Sequence, residues 1–329
     1  MAQTRVLSGM QPTGLLHIGN FHGALRQWVR IQHEHEMYCC IVDWHALTTM
    51  YDRTEEIARF TREVAADYIS AGLDPERCAI FIQSHVKEHA ELHLLLSMVT
   101  PQGWLERVPT YKEKRDNLQM NEETLSYGFV GYPVLQAADI LAYRAHLVPV
   151  GRDQLPHIEM TREIARRFNH LYGEVFPEPN ALVLESVASV PGIDGRKMSK
   201  SYGNAIYMSD DADTVARKIN EAFTTPTKIR KSDPGVPESC VVCQLRRVYD
   251  PDGYTASWEA DRRGERGCVQ NKRELIEIVN AAMEPMRRRR NELMSDPGQL
   301  DAYLASGAER ARQAASETLA VVRKALHVG

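Results

Sequence analysis

No apolar run in the sequence approaches the roughly 18 residues of a membrane-spanning helix, so a helical membrane protein is not expected. Met1 to Arg5 lead into a strand-like segment without the basic-then-apolar order of a secretion signal, which makes the cytoplasm the expected compartment. Net charge is small, −4 over 329 residues. That excludes a protein coating nucleic acid by bulk attraction, though a local basic face stays open. Internal repeats and low-complexity tracts are missing, so a solenoid or a disordered chain is not indicated. Cysteine is scarce, with six in all. Cys39, Cys40 and Cys78 fall in apolar strand-like runs and read as buried free thiols. Cys240, Cys243 and Cys268 suggest metal by spacing, but a tetrahedral site needs a fourth ligand and none stands nearby.

What is present is an ordinary globular composition, 43% hydrophobic and 26% charged, at a length that suggests two domains. Arg5 to Ser8, Met37 to Val42 and Cys78 to Gln83 read as buried strands. Phe21, Ala24, Leu25, Trp28 and Ile31 recur at helical spacing, as do Ile57, Phe60, Val64 and Tyr68, the second set ended by Gly72. Asp52 with Glu55 resembles a capping box. Strand–helix alternation implies right-handed crossovers and a parallel sheet, with ligands beyond the carboxyl ends of the strands. Residues 88 to 146 are mainly helical and read as an insertion before a further strand, Leu147 to Val150. After Asn204 the clearest stretches are helical: Asp211 to Thr224, Lys272 to Glu292 and Asp301 to Leu326. Thr225 to Gly267 between them is rich in Pro and Gly and reads as loop. The expected fold class is α/β, a Rossmann-like domain over 1–205 with its helical insertion, followed by an all-helical domain over 206–329.

Two loops carry the chemistry. Ser8 to Asn20 follows the first strand and holds Gly9, Gly14 and Gly19, which let backbone approach a ligand, and the helix behind it aims free amides at the same place. It is no Walker loop, since no Lys-Ser/Thr ends it, and its glycine spacing differs from the dinucleotide fingerprint. His17 can donate to phosphate oxygens or serve as a satisfied group at a helix start. The second loop, Asp194 to Ser201, is cationic, with Lys197 and Lys200 two residues apart and hydroxyls at Ser199 and Ser201. It can close over a polyphosphate, or be a solvated basic turn.

His17-Ile18-Gly19-Asn20 after a first strand, together with Lys197 to Ser201, resembles the paired signature of a class I aminoacyl-tRNA synthetase. Gln11-Pro12-Thr13-Gly14, Glu106 to Lys114, Ala137-Ala138-Asp139-Ile140 and Val148 to Gln154 narrow the resemblance to the tryptophanyl-tRNA synthetase family. It implies activation of L-tryptophan by ATP to an adenylate and pyrophosphate, then transfer to tRNA(Trp), with Mg2+ accompanying the nucleotide. It also implies a homodimer in which the insertion forms the interface, and a C-terminal domain that binds the anticodon region. By the same resemblance His17, Asn20, Lys197 and Lys200 are catalytic. Gln11, Pro12, Thr13, Gly19, Asn20, Gly151, Arg152, Asp153, Val190, Lys197, Met198, Ser199, Lys200 and Ser201 contact ATP, and Tyr132, Gln136, Asp139 and Gln154 bind the amino acid.

The amino-acid assignment has a physical argument beside it. Tyr132, Gln136, Asp139 and Tyr143 share one helical face, either a solvated stripe or a pocket wall. A buried carboxylate accepting an indole N–H would be left unpaired by Phe and would reject it strongly. Gln136 with Asp139 also resembles the wall that holds a phenol in tyrosyl-tRNA synthetases, so a tyrosine–tRNA ligase stays open at this point. A nucleotidyltransferase shares the first loop but has no need of the helical C-terminal part. A synthetase-like paralogue without tRNA charging would be favoured by loss of His17, Lys197 or Lys200, and all are present. Arg287 to Arg290 run around a helix and offer either phosphate contact with tRNA or a solubilising helix end. Some relatives hold an iron–sulfur cluster in this region, but Asp261 and Asn271 stand where cysteines would be needed, so no cluster is expected.

Overall fold

The computed structural model describes residues 3–107, 126–183 and 190–328. Val108 to Lys114, part of the motif read from Glu106, lie outside the described residues. Five parallel strands form one sheet: β1 (Arg5–Met10), β2 (Glu36–Ile41), β3 (Ala79–Ile82), β4 (Leu147–Val150) and β5 (Asn180–Val183), in the order β3-β2-β1-β4-β5. The order reverses between β1 and β4, and the crevice beyond their carboxyl ends is where an open α/β sheet binds its ligand.

Helix α1 (Ile18–Asn20) runs through a π-helical turn, Phe21–Leu25, into α2 (Arg26–Ile31). After β2 come α3 (Asp43–Met50) and α4 (Thr54–Ser70). The periodicity of α4 buries Ile57, Thr61, Val64, Tyr68 and Ile69, and Gly72 stops the chain at φ +112°, where a side chain would be strained. The expected capping box does not form. Arg53 is the N-cap and no side chain caps the helix, because Asp52 stands one position too early and its carboxylate turns to Arg53, 3.8 Å away. Between β3 and β4 lie α5 (Glu88–Ser97), α6 (Gln102–Leu105) and α7 (Tyr127–Ala142), and α8 (Leu155–Tyr172) follows β4.

The second half is less loop-like than its composition suggests. Besides α9 (Ala212–Glu221), the Pro- and Gly-rich stretch contains α10 (Val241–Tyr249) and α11 (Tyr254–Arg262), followed by α12 (Cys268–Ser295) and α13 (Pro297–Leu326). Segment 206–208 returns to the first loop: the Ile18 amide donates to the Ile206 carbonyl at 3.0 Å and the Met208 amide to the Leu16 carbonyl at 2.9 Å. Residues 1–205 therefore do not close on themselves. Leu293, Leu300 and Leu304 join the core beneath β1 and β2, and Ala308, Ala311 and Ala315 join the core on the sheet's other face. At Gly307, α13 meets the outer strand so closely that a Cβ would overlap the Ile80 carbonyl, and the helix covers an edge that would otherwise invite another chain.

Candidate functional site

His17 caps α1 in a reciprocal box: its Nδ1 accepts from the Asn20 amide at 3.2 Å, and its own amide donates to Asn20 Oδ1 at 3.0 Å. Burial, then the charges of Lys200 and Lys197, hold the imidazole pKa down at about 4, so the ring is neutral at physiological pH. With Nδ1 accepting, the proton resides on Nε2 and is available to donate. Gly19 is required here, since a Cβ would sit 2.8 Å from His17 Nδ1.

The two loops, 186 residues apart, touch directly. Lys200 Nζ donates to the Gly14 carbonyl at 2.8 Å, and Gly14 itself adopts φ +148° with the Lys200 stem against it. Burial lowers the Lys200 pKa to about 8, opposed by the carboxylate of Asp67. The second loop is stapled from within by Asn204. Its Nδ2 donates to Asp194 Oδ1 (2.7 Å) and the Lys197 carbonyl (3.2 Å), while its Oδ1 accepts from the Ser199 amide (2.9 Å). Ser199 caps the following turn by accepting from the Ser201 amide.

These residues enclose a cavity of about 910 Å3 lined by Gln11, Thr13, His17, Asn20, Arg53 and Lys197 to Tyr202. No Asp or Glu among the described residues lines it. Its polar groups are donors and cations, which suits a polyphosphate and offers no carboxylate to a divalent ion. Arg53, from the turn before α4, was not signalled by the sequence because nothing in its local pattern places it beside residues 197–202.

A second cavity, about 300 Å3, adjoins the first through Met10 and Gln11 and lies at the β1/β4 switch point. Trp28, Val42, Ile140, Val148 and Val150 make it largely apolar, and Gln11, His45, Tyr132, Gln136, Asp139, Gln154 and His157 supply polar atoms. The π-helical turn brings Gly23 and Ala24 to its wall. Gly151 also lines it. Arg152 and Asp153, exposed in the turn after β4, Pro12, and Val190 line neither cavity. Val190 acts as a strut instead, its carbonyl accepting the Met198 amide at 3.3 Å beneath the second loop.

The stripe on α7 is a wall and not a solvated face: Tyr132 is 6% exposed and Asp139 3%. Tyr143, however, leaves it. That ring is buried behind the cavity, stacked on Tyr38 at 4.4 Å, with its hydroxyl 2.6 Å from His89 Nε2.

Asp139 also departs from expectation, for its carboxylate is already paired. Oδ1 accepts from Gln83 Nε2 (2.8 Å) and His89 Nδ1 (2.5 Å), and Oδ2 from His45 Nε2 (2.8 Å). Despite complete burial, which pushes the other way, hydrogen bonds from His45 and His89 hold the carboxyl far below the usual carboxylate range. A ligand lacking an N–H would not leave this carboxylate unpaired. Rejection of Phe by an orphaned charge therefore does not operate at full strength. His45, Gln83 and His89 come from three segments 94, 56 and 50 residues away in sequence, and no local motif announces them.

The arginine run divides. Arg287 donates through Nε to the Asp210 carbonyl at 2.9 Å, and Arg290 pairs with Asp67 and Glu63, so both serve the fold. Arg288 and Arg289 are exposed.

Against known proteins, the chain matches the family model described as tRNA synthetases class I (W and Y) over residues 1–295. A tryptophan–tRNA ligase of Thermotoga maritima is 46% identical, with 98% of this chain and 99% of the relative aligned. One from Aquifex aeolicus is 42% identical over 98% of this chain and 100% of its own length. A tryptophanyl-tRNA synthetase from Campylobacter jejuni, solved with ADP and tryptophan, superposes with a TM-score of 0.90 at 37% identity, covering 99% of this chain and 100% of that one. The chain belongs to the class I tRNA synthetases, in the family shared by the tryptophan and tyrosine enzymes. Within that family these full-length relatives are the tryptophan enzymes.

Proposed function

We propose that the protein is a tryptophan–tRNA ligase: it joins the L-tryptophan carboxylate to the α-phosphate of ATP, releasing pyrophosphate, and passes the aminoacyl group to tRNA(Trp). The observation that carries this reading is the Lys200–Gly14 joint, which unites two loops into a donor-only cavity opening on an apolar cleft. The reaction needs no covalent enzyme intermediate. It needs nucleophile and phosphorus in line, and charge stabilised on departing pyrophosphate. Lys197 and Lys200 answer that charge from the second loop, and His17 Nε2–H with the amides near Gly19 and Asn20 answers it from the first. Gln11 and Gln154 lie where the cleft meets the nucleotide cavity, and Tyr132, Gln136 and Asp139 form the side-chain wall. Asp153 at the β4 turn is assigned to the ribose. Mg2+ travels with ATP on phosphate oxygens and water, since the described lining offers it no carboxylate.

The C-terminal helices receive tRNA, with Arg288 and Arg289 as phosphate contacts on α12. A homodimer is supported by Leu94, Met98 and Tyr127, which are 53%, 73% and 72% exposed on the insertion beside a groove lined by Trp44, Leu47 and Tyr51. The working compartment is the cytoplasm, where tRNA is charged. An iron–sulfur cluster does not fit: Asp261 Oδ1 is taken by Lys228 Nζ at 3.2 Å and by Asn271 at 3.3 Å, leaving Cys240, Cys243 and Cys268 without a fourth thiolate. Pyrophosphate exchange with each amino acid tests the main reading. Exchange with tryptophan and not tyrosine is expected. Exchange with tyrosine alone, which Gln136 beside Asp139 would then explain, overturns it.

A further inference from the structure

The buried carboxylate of Asp67 has no place in the site as described. It lies on α4, fully buried, and its Oδ1 accepts from Arg290 Nε of α12 at 2.8 Å. The same guanidinium pairs with Glu63, one turn earlier on α4. Its other oxygen, Oδ2, is buried without a hydrogen-bond partner. From the first loop the Leu16 amide acts on the carboxylate, and from the second loop the Lys200 ammonium does. A buried carboxylate with one oxygen unsatisfied is costly, of the order of 1–3 kcal/mol or more, and such groups gather where function requires them.

We infer that Asp67, anchored by Arg290, is a positioning residue of the adenylating site: it seats the Leu16–His17 turn, keeps Lys200 charged, and ties helix α12 to the ATP cavity. The inference rests on the adenylation reading above. Burial lowers the Lys200 pKa, and Asp67 is the carboxylate that opposes it. His17 and the Gly14 carbonyl face Lys200 from the first loop, and Lys197 and Arg53 line the same cavity. None of these is an acid, so loss of the Asp67 charge is not made up locally. Lys200 acts on phosphate only when protonated, and its effect is lost as pH rises through its pKa near 8. Removing the negative charge lowers that pKa further and moves the loss to lower pH. Arg290 fixes the carboxylate from α12, whose neighbouring Arg288 and Arg289 face solvent, so a ligand on that face is mechanically joined to the first loop.

The test is the pH profile of tryptophan-dependent pyrophosphate exchange. In Asp67→Asn the alkaline limb of kcat/KM for ATP is expected to move toward acid by about 0.5 unit or more, with kcat down roughly tenfold and the KM for tryptophan unchanged. Arg290→Lys keeps a cation but cannot span Asp67 and Glu63, and shifts the limb in the same direction by less. A folded Asp67→Asn enzyme with an unmoved limb overturns the inference. If that variant is not recovered folded, Arg290→Lys decides by the same readout. Failure of the wild type to exchange with tryptophan strikes the adenylation reading instead, and is distinguishable because it precedes any variant.

Discussion

Replacing Asn204 with Ala removes the staple of the second loop. The side chain is 2% exposed and makes three hydrogen bonds: to Asp194, to the Lys197 carbonyl and from the Ser199 amide. At about 1 kcal/mol each, their loss costs the ordered loop about 2–3 kcal/mol. If Lys197 and Lys200 work only from that ordered form, kcat for pyrophosphate exchange falls between about 30- and 150-fold, since 1.36 kcal/mol is tenfold in rate. The KM for tryptophan should hold, because the 300 Å3 cleft does not include Asn204. Asn204→Asp makes the argument sharper. It keeps the acceptor for Ser199 but sets a second carboxylate against Asp194 and faces an acceptor to the Lys197 carbonyl. This near-isosteric variant is expected to be no better than Ala at neutral pH. Gly192→Ala approaches from the other side, since its Cβ would overlap the Asn204 amide. Wild-type kcat in Asn204→Asp, or loss within twofold in Asn204→Ala, would refute the reasoning.

Asp139→Asn takes the charge from between His45, His89 and Gln83, and is expected to cost about 3–5 kcal/mol of stability by chemical denaturation as well as raising the KM for tryptophan. Because the folded-state pKa of Asp139 is depressed, its contribution is present above the unfolded value of about 3.9 and is lost as pH falls below it. Wild type should therefore lose stability steeply below pH 4, and Asp139→Asn less so. Arg288→Gln with Arg289→Gln is expected to weaken tRNA charging with exchange unchanged; equal charging by the double variant removes these residues from the tRNA surface. Gly307→Ala forces a methyl onto the Ile80 backbone, which no side-chain rotation relieves, and should cost about 1–3 kcal/mol, read as a lowered thermal midpoint.

Features written within one segment were the legible ones. β1 to β4, the two loops and the α7 wall each follow from a local run or spacing. β5 does not: Asn180–Val183 is short, half-exposed and preceded by Pro177 and Pro179, so neither length nor alternation marks it. The helices of the Pro- and Gly-rich stretch were hidden by composition, although Val241, Val242 and Leu245 have helical spacing once Cys240 is taken as the cap. Partners were least legible. Asp139 reads as a lone carboxylate on a helix until the fold brings two imidazoles and an amide to it, and the four arginines read as one patch until α12 turns two of them inward.

The helix at residues 297–326 seals a strand made more than 200 residues earlier. During synthesis the outer edge of β3 must wait, open and hydrogen-bonding-competent, until that helix has emerged. Half of the apolar layer over the sheet arrives with it. The nucleotide-binding half is thus exposed to edge-to-edge pairing for most of its time on the ribosome. Long-range closure of this kind slows folding. A chain that stalls before residue 297 would be released with its catalytic residues already made and its sheet unguarded, which makes early termination a hazard of aggregation as well as of lost activity.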